Sequence, residues 1–228
     1  MSIDHLLLSE LDKRRAQSLY RQRRVLSSPQ DVEVEIDGER YLSFSSNDYL
    51  GLANHPEIVE AFQQGLSRWG TGSGAAHLIT GHSAAHHALE EELAEFLGYP
   101  RGLLFSSGYQ ANLGIHQALL GRKDRTVHDR LNHASLLDGA KLSGAKLLRY
   151  AHSDMNALEG RLADPASGRT LVVTDGVFSM DGDTAPLAAI ANECRCGGAS
   201  LMVDDAHGVG GHGPQGRGTV AKFELGPA

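Results

Sequence analysis

The sequence has 228 residues, a formal net charge of −7 and a hydrophobic content of 41%. This length allows a sizeable buried core, and the acidic balance argues against general nucleic-acid binding, which needs a basic surface. No run of about 18 apolar residues predicts a membrane span, and residues 1–15 lack the pattern of a secretory signal, so the expected location is the cytoplasm.

The first 45 residues predict a helix followed by a two-stranded hairpin. Leucines recur near helical spacing among arginines and lysines over residues 4–24, which favours an amphipathic helix. Apolar and acidic residues then alternate, and Asp37-Gly38 is a strong signal for a two-residue hairpin turn. We therefore divide the chain into an N-terminal segment, 1–45, and a large α/β domain, 46–228.

From residue 46 onward, helical patterns alternate with short apolar runs. Helices are predicted at 56–69, 83–97, 109–120, 134–143, 155–163 and 186–195. Strands are predicted at GLLFSS (102–107), RTVHD (125–129), AKLLRY (145–150), RTLVVTDG (169–176) and ASLMVDD (199–205). Some of these runs are apolar at successive positions, as expected of strands buried on both faces. The alternation predicts an α/β fold with a mostly parallel central sheet and helices on both faces.

Polar loops rich in small residues follow the predicted strands, where ligands of open α/β sheets bind. In SSGYQAN, Gly108 and Tyr109 open a helix whose backbone N–H groups can bind phosphate. His133 lies at the next strand-to-helix junction and is able to stack on a planar ligand or relay a proton. Ser179 lies in the loop VFSMDGD. For each feature an ordinary role is the alternative: a serine-rich helix cap, a structural histidine or a turn.

The stretch VDDAHG places a carboxylate and an imidazole at the end of a strand. In a regular strand, Asp204 and His207 would point to opposite faces, because side chains alternate. They converge only if the chain bends at Asp205-Ala206. The alternative is that Asp204 caps a turn and His207 is incidental.

The glycines that follow form a misleading motif. Gly208, Gly210 and Gly213 match G-x-G-x-x-G, but a dinucleotide fingerprint must also open a helix, and GPQGRG is a poor helix former. A dinucleotide-dependent oxidoreductase is therefore a weaker alternative function.

Histidines cluster around the helix predicted at 83–97. His82 and His86 have the i, i+4 spacing of a metal pair, but Ser83 stands where H-E-x-x-H requires glutamate. This favours a solvated or interface surface, and the sequence predicts no metal site.

Six stretches, taken together and in order, resemble the α-oxoamine synthases. They are FSSNDYLGL, GTGSGAAHLITGHSAAHHALEEELAEFLG, LFSSGYQAN, NHASLLDGA, VFSMDGDTAPL and VDDAHGVGGHGPQGRG, and they extend from about residue 40 to 218. That family consists of pyridoxal 5′-phosphate (PLP) enzymes of fold-type I, the aspartate aminotransferase-like group. The resemblance implies this fold for the large domain and PLP as the cofactor.

The resemblance also implies roles for individual residues. Asp204 corresponds to the carboxylate that pairs with the pyridinium nitrogen and keeps the ring an electron acceptor. His207 corresponds to the donor to the ring 3′-oxygen, with Ser179 nearby, and His133 to the histidine that stacks on the ring. The implied catalytic residues are His133, Asp204 and His207, and the implied cofactor contacts are these three with Gly108, Tyr109 and Ser179.

Substrate contacts are implied as well. Asn47 resembles a ligand of the amino-acid carboxylate, and His133 belongs to the same set. Arg21 matches an acyl-substrate contact, where a guanidinium can meet a carboxylate. The alternative for Arg21 is one more charge on a solvated helix. Asp175 stands where several relatives have glutamate, and its role is left open.

Within the family, the motifs are most similar to the branch that condenses L-alanine with a pimeloyl thioester and releases carbon dioxide. Either coenzyme A or an acyl carrier protein fits as the acyl carrier, and the basic segment RRAQSLYRQRR suits both anionic partners. Sister enzymes that use glycine and a short acyl-CoA share much of the pattern and remain the alternative. The resemblance further implies a homodimer with active sites at its interface.

The Schiff-base lysine of the family is expected in a Thr/Ser-rich, Gly-flanked motif beyond DDAHG. The lysines of this sequence, none of which has that context, are Lys13, Lys123, Lys141, Lys146 and Lys222. The expectation is therefore an N-terminal portion of a longer enzyme that is inactive alone, because covalent catalysis needs the lysine. A non-catalytic partial subunit is the alternative.

Overall fold

The first of two units in the computed structural model begins with a short helix. The structure describes residues 2–226, and its contacts divide the chain into a unit up to Gly65 and a unit from Leu66. Helix α1 spans Ile3–Ala16. The helix predicted over 4–24 was therefore too long, because Ser18 adopts a left-handed φ of 57° that turns the chain out of the helix.

The predicted hairpin is confirmed in the same unit. Strands β1 (Glu33–Ile36) and β2 (Glu39–Leu42) pair antiparallel, with Ile36 opposite Glu39. The two residues between them, Asp37 and Gly38, have φ values of 54° and 81°. A two-residue turn that matches the right-handed twist of the two strands requires positive φ at both central residues. Asp-Gly adopts this conformation readily.

Seven further helices follow within residues 2–226, and the six predicted helices agree with the observed bounds to within two residues. They are α2 (Pro56–Trp69, which crosses the division between the units), α3 (Ala84–Leu97), α4 (Gly108–Leu119), α5 (Ala134–Ser143), α6 (Met155–Ala163), α7 (Leu187–Gly197) and α8 (Gly218–Lys222). A π-helical turn at His77–Gly81 and a 3₁₀ turn at Pro214–Gly216 complete the helical residues. Within the described residues, no helix is both long and apolar enough to cross a membrane.

A four-stranded parallel sheet forms the centre of the second unit, as predicted. Its strands are β3 (Arg125–Asp129), β4 (Lys146–Tyr150), β5 (Thr170–Asp175) and β6 (Ser200–Asp204), in the spatial order β4-β3-β5-β6. Every residue of the two central strands, β3 and β5, is buried. This explains why their sequences lack a simple alternation of apolar and polar residues.

Helices cover both faces of this sheet. Val172 packs in one core with Leu158 of α6 and Ile190 of α7. Its neighbours Leu171 and Val173 point the other way, into a second core with Leu136 of α5. Because side chains alternate along β5, its residues contribute to two separate cores. The α/β layering predicted from the sequence is confirmed.

The run GLLFSS was predicted as a strand, and this was wrong. Residues 102–107 adopt no regular structure, and Leu103 is 74% exposed. The backbone N–H of Leu104 donates to the Glu90 carboxylate at 2.9 Å rather than to a strand. Apolar composition favours a strand, but a strand also needs a hydrogen-bonding neighbour, and among residues 2–226 none lies beside this run.

Candidate functional site

The carboxyl ends of β5 and β6 bring two aspartates side by side. The parallel register pairs Asp175 with Asp204 at the last positions of both strands. A cavity of about 140 Å³ opens at this edge. It is lined by residues at the ends of three strands and at two helix starts: Gly108, Tyr109, Asn112, His133, Ser135, Asp175, Ser179, Asp204, Ala206 and His207.

Asp204 is held by an amide from α4. Asn112 is buried, and its Nδ2 donates to Asp204 Oδ2 at 2.7 Å and to Ser135 Oγ at 2.9 Å. The other carboxylate oxygen of Asp204 accepts the backbone N–H of Ala206 at 3.2 Å. These two donors hold the orientation of the Asp204 carboxylate.

Asp175 lies deeper than its neighbour and behaves differently. Burial raises the pKa of its carboxyl to about 7, and the negative charges of Asp204 and Asp129 act in the same direction. The backbone N–H of His133, which donates to Asp175 Oδ2 at 2.9 Å, opposes this rise. Near neutral pH, the Asp175 carboxyl is therefore partly protonated.

His133 is fixed at the start of α5. Its Nδ1 accepts the backbone N–H of Ser135 at 3.3 Å and lies 2.7 Å from Ser135 Oγ, so the imidazole caps the helix. The ring itself is exposed to the cavity side. Ser135 thus connects the histidine to Asn112, and through Asn112 to Asp204.

The N-terminus of α4 forms another wall of the cavity. Ser107 caps the helix by accepting the Gln110 N–H at 3.2 Å. A Cβ atom added to Gly108 would meet nothing within 4 Å, so the space beside its Cα is open. The Tyr109 hydroxyl donates to Asp138, and this hydrogen bond raises the pKa of the tyrosine. Such a helix start favours an anion.

The two aspartates of VDDAHG make different contacts. Asp204 faces the cavity, whereas Asp205 accepts the backbone N–H and the hydroxyl of Thr219, both at 2.7 Å, at the start of α8. The chain turns immediately after β6, so His207 lines the same cavity as Asp204. The bend that their convergence requires is therefore present.

The glycine run beyond this bend is a loop. Its first part turns back on itself through a bridge between Val209 and Arg217. The next α-helix, α8, begins only at Gly218 and has five residues. The positions from Gly208 to Gly213 therefore do not open a helix, as a dinucleotide fingerprint would.

Six of the eight predicted site residues lie together in this cavity, and two belong to the other unit. The six are Gly108, Tyr109, His133, Ser179, Asp204 and His207. Arg21 is exposed and follows the end of α1 rather than lying on it. Asn47 is exposed, and its side-chain oxygen accepts the Tyr49 hydroxyl at 3.5 Å.

Sequence reasoning missed Asn112 and Ser135. A signal for Asn112 exists: it stands four residues after Gly108, so both residues lie on one face of α4. A polar residue on the face that carries the phosphate-loop glycine points toward the site. Ser135 stands two residues after His133, a spacing that favours a local cap and carries no other signal.

Comparison with known proteins identifies the class. The family model "Aminotransferase class I and II" matches residues 39–226, so the chain belongs to this family. This finding and the related structures confirm the fold class predicted from the sequence.

Individual relatives are similar to this chain in sequence and in structure. The chain is 62% identical over 218 residues to the 8-amino-7-oxononanoate synthase of Methylococcus capsulatus, covering 96% of this chain and 56% of the relative. A Sphingomonas wittichii serine palmitoyltransferase superposes with a TM-score of 0.89 at 34% identity, covering 96% of this chain and 56% of that one.

A serine palmitoyltransferase from S. paucimobilis with a bound PLP–myriocin aldimine has the same TM-score, 0.89, at 31% identity and the same coverage. The chain thus spans about 56% of the length of these relatives.

Proposed function

We propose that the whole protein is an 8-amino-7-oxononanoate synthase of biotin biosynthesis. It condenses L-alanine with a pimeloyl thioester, releases carbon dioxide and uses PLP. The identity of 62% to a relative of that name supports the reaction. The observation that carries the proposal is the geometry of Asp204, aimed into the cavity by Asn112 at 2.7 Å beside His133 and the start of α4.

The donor set of the cavity fits PLP. The Asp204 carboxylate suits a protonated ring nitrogen, and the N-terminus of α4 suits a phosphate. The exposed imidazole of His133 suits the flat face of the ring. His207 and Ser179 line the same cavity and are proposed to contact the ring oxygen. When bound, PLP supplies an electron sink for the bond cleavages at the α-carbon of the amino acid.

The residues of the chain contribute orientation and charge. Asn112 keeps the Asp204 carboxylate turned into the cavity. The raised pKa of Asp175, about 7, limits the negative charge beside Asp204 near neutral pH, so the pair does not carry two full charges. His133 is positioned by Ser135 to stack and to hold or release a proton on the side of the substrate.

Two substrate contacts are proposed from the first unit. Asn47 would bind the carboxylate of the amino acid. Arg21 would bind the distal carboxylate of the pimeloyl chain, because a guanidinium matches a carboxylate with two parallel hydrogen bonds. The acyl carrier is coenzyme A or an acyl carrier protein.

An α-oxoamine synthase with other substrates, such as glycine and a short acyl-CoA, is the second candidate. The structural similarity to serine palmitoyltransferases, at 31–34% identity, keeps this candidate open. The higher identity to 8-amino-7-oxononanoate synthases, 57–62% in eight relatives of that name, favours L-alanine and a pimeloyl thioester.

PLP binding to the purified chain tests the site. We expect saturable 1:1 binding, followed by the absorbance of the cofactor, and at least a tenfold loss of affinity in Asp204→Asn. The matched control is Asp181→Asn, an exposed aspartate outside the cavity lining, which should bind as the parent does. Equal affinity of Asp204→Asn and the parent would contradict the assignment.

Turnover of the whole protein decides the substrates. Carbon dioxide release with L-alanine and pimeloyl-CoA, or pimeloyl-acyl carrier protein, should exceed release with glycine and acetyl-CoA. The reverse preference would select the second candidate. A homodimer, a cytoplasmic location and a domain boundary near residue 45 belong to the same proposal, and light scattering of the purified protein tests the dimer.

A further inference from the structure

Four histidines gather at the beginning of α3, and none of them lines the cavity at the sheet edge. His77 lies in the π-helical turn, His82 directly follows that turn, and His86 and His87 lie in the first turn of the helix. Glu90 follows one turn further along. One ligand atom each of His82, His87 and Glu90 lies within 4.8 Å of the others.

The separation of two imidazoles fits a shared metal ion. His82 Nε2 and His87 Nδ1 are 3.4 Å apart. Two nitrogens at about 2.0–2.1 Å from a tetrahedral Zn²⁺ are separated by roughly 3.4 Å, which matches the observed spacing.

Each of these imidazoles also has a partner on its other nitrogen. His82 Nδ1 lies 3.4 Å from His77 Nε2, and His87 Nε2 lies 3.4 Å from a carboxylate oxygen of Glu91. Metal-binding histidines regularly donate their second N–H to such a group, which fixes the ring and makes the metal-facing nitrogen a better ligand. The cluster therefore has oriented donors as well as close ones.

His86 is not part of the set. Its Nδ1 accepts the backbone N–H of Ser83 at 3.2 Å and lies 2.8 Å from the Ser83 hydroxyl, so it caps α3. The i, i+4 pair apparent in the sequence, His82 with His86, is thus replaced by His82 with His87. Only the folded turn before the helix brings these two together.

We propose that His82, His87 and Glu90 bind one Zn²⁺ ion. Two imidazoles and a carboxylate are an ordinary ligand set for zinc, with water completing a tetrahedron at this exposed surface. The ion would tie the π-helical turn to α3. Because Glu90 also accepts the N–H of Leu104 at 2.9 Å, it would brace the segment that leads into α4.

Calorimetric titration of the metal-stripped chain with ZnCl₂ tests the proposal. We expect one saturable site per chain, and at least a tenfold weaker affinity in both His82→Gln and His87→Gln. Glu91→Gln should weaken binding by about tenfold, because it removes only an orienting partner. The matched control is His55→Gln, an exposed histidine remote in sequence, which should leave affinity unchanged.

A second measurement reports the ligands directly. Co²⁺ at the site should produce visible absorption bands of a four-coordinate ion, and these bands should be absent in His82→Gln and His87→Gln. Circular dichroism establishes that each variant is folded. Absence of saturable Zn²⁺ binding to the parent, or equal binding by parent and a His82→Gln/His87→Gln double variant, would overturn the proposal.

Discussion

The unit up to Gly65 and the sheet of the second unit contrast sharply in how their residues are buried. Among residues 2–65, Val34 is the only buried residue, and helix α1 has none. In the sheet, all residues of β3 and β5 are buried. Both regions follow their local sequence patterns, so the comparison shows that correct secondary structure does not by itself create a core.

Their polar contacts differ in the same way. In α1 the ion pairs join Lys13 to Glu10 and Arg15 to Asp12, all exposed and three residues apart. At the sheet edge, Asn112 reaches Asp204 across 92 positions of sequence, and Asn112 itself is buried. Exposed local pairs contribute little to stability, whereas a buried donor aimed at a charge is costly to remove.

Matched leucine substitutions should give the largest difference between the two regions. Leu158 in α6 is fully buried, and Leu8 in α1 is 61% exposed. Leu158→Ala should lower the free energy of unfolding by about 3–5 kcal/mol, because it removes buried methyl groups and leaves a cavity. Leu8→Ala should change it by less than about 0.5 kcal/mol. Urea denaturation measures both free energies of unfolding. Similar losses at the two positions would contradict the difference in burial between the two regions.

The pH dependence of stability should show the buried charge at the sheet edge. The folded pKa of Asp175, about 7, lies above its ordinary value of 3.8. The folded state therefore holds the proton more tightly, and the parent should lose stability as the pH rises from about 4 to about 7. At pH 8, Asp175→Asn should be more stable than the parent by roughly 2–4 kcal/mol, and the difference should vanish near pH 4.

Urea denaturation at several pH values measures this effect. The asparagine carbonyl can still accept the backbone N–H of His133, so this hydrogen bond is retained. The exposed Asp181→Asn variant is the control and should follow the parent at every pH. Superimposable pH profiles for the parent and Asp175→Asn would show that burial does not raise the pKa of this carboxyl.

A pair of amide substitutions should give a smaller difference. Asn112→Ala removes the donor shared by Asp204 and Ser135, so it should cost about 1.5–3 kcal/mol. Gln64→Ala removes an exposed contact with Glu60, of length 3.2 Å, and should cost less than about 0.5 kcal/mol. Thermal unfolding compares the two variants. An equal shift of the unfolding temperature would show that the buried amide contributes no more to stability than the exposed one.

Much of the fold was determined by local sequence signals. Asp37-Gly38 predicted the hairpin turn because few residues tolerate positive φ at two successive positions. Gly98 likewise marked the end of α3, where it adopts a φ of 77°. Four of the five strands predicted for the large domain form, because a short apolar run inside an α/β pattern is specific enough when a neighbouring strand exists.

Other features were decided only by the tertiary structure. GLLFSS has the composition of a strand, yet hydrogen bonding between strands is a long-range property that composition does not contain. Helix α1 stops at Ala16 although the leucine and arginine pattern continues, because Ser18 turns the backbone. In both cases the pattern described a preference, and contacts or backbone geometry determined the outcome.

The same division applies to the two sites. The sequence by itself determined that Asp204, His207 and His133 lie at or just after strand ends, and the parallel order of the strands brings such ends to one edge. It did not determine that Asn112 holds Asp204, because that contact depends on how α4 packs against the end of β6. Nor did it determine that His82 meets His87 rather than His86. Sequence spacing sets which side chains are near one another along an element, and only packing sets the distances across elements.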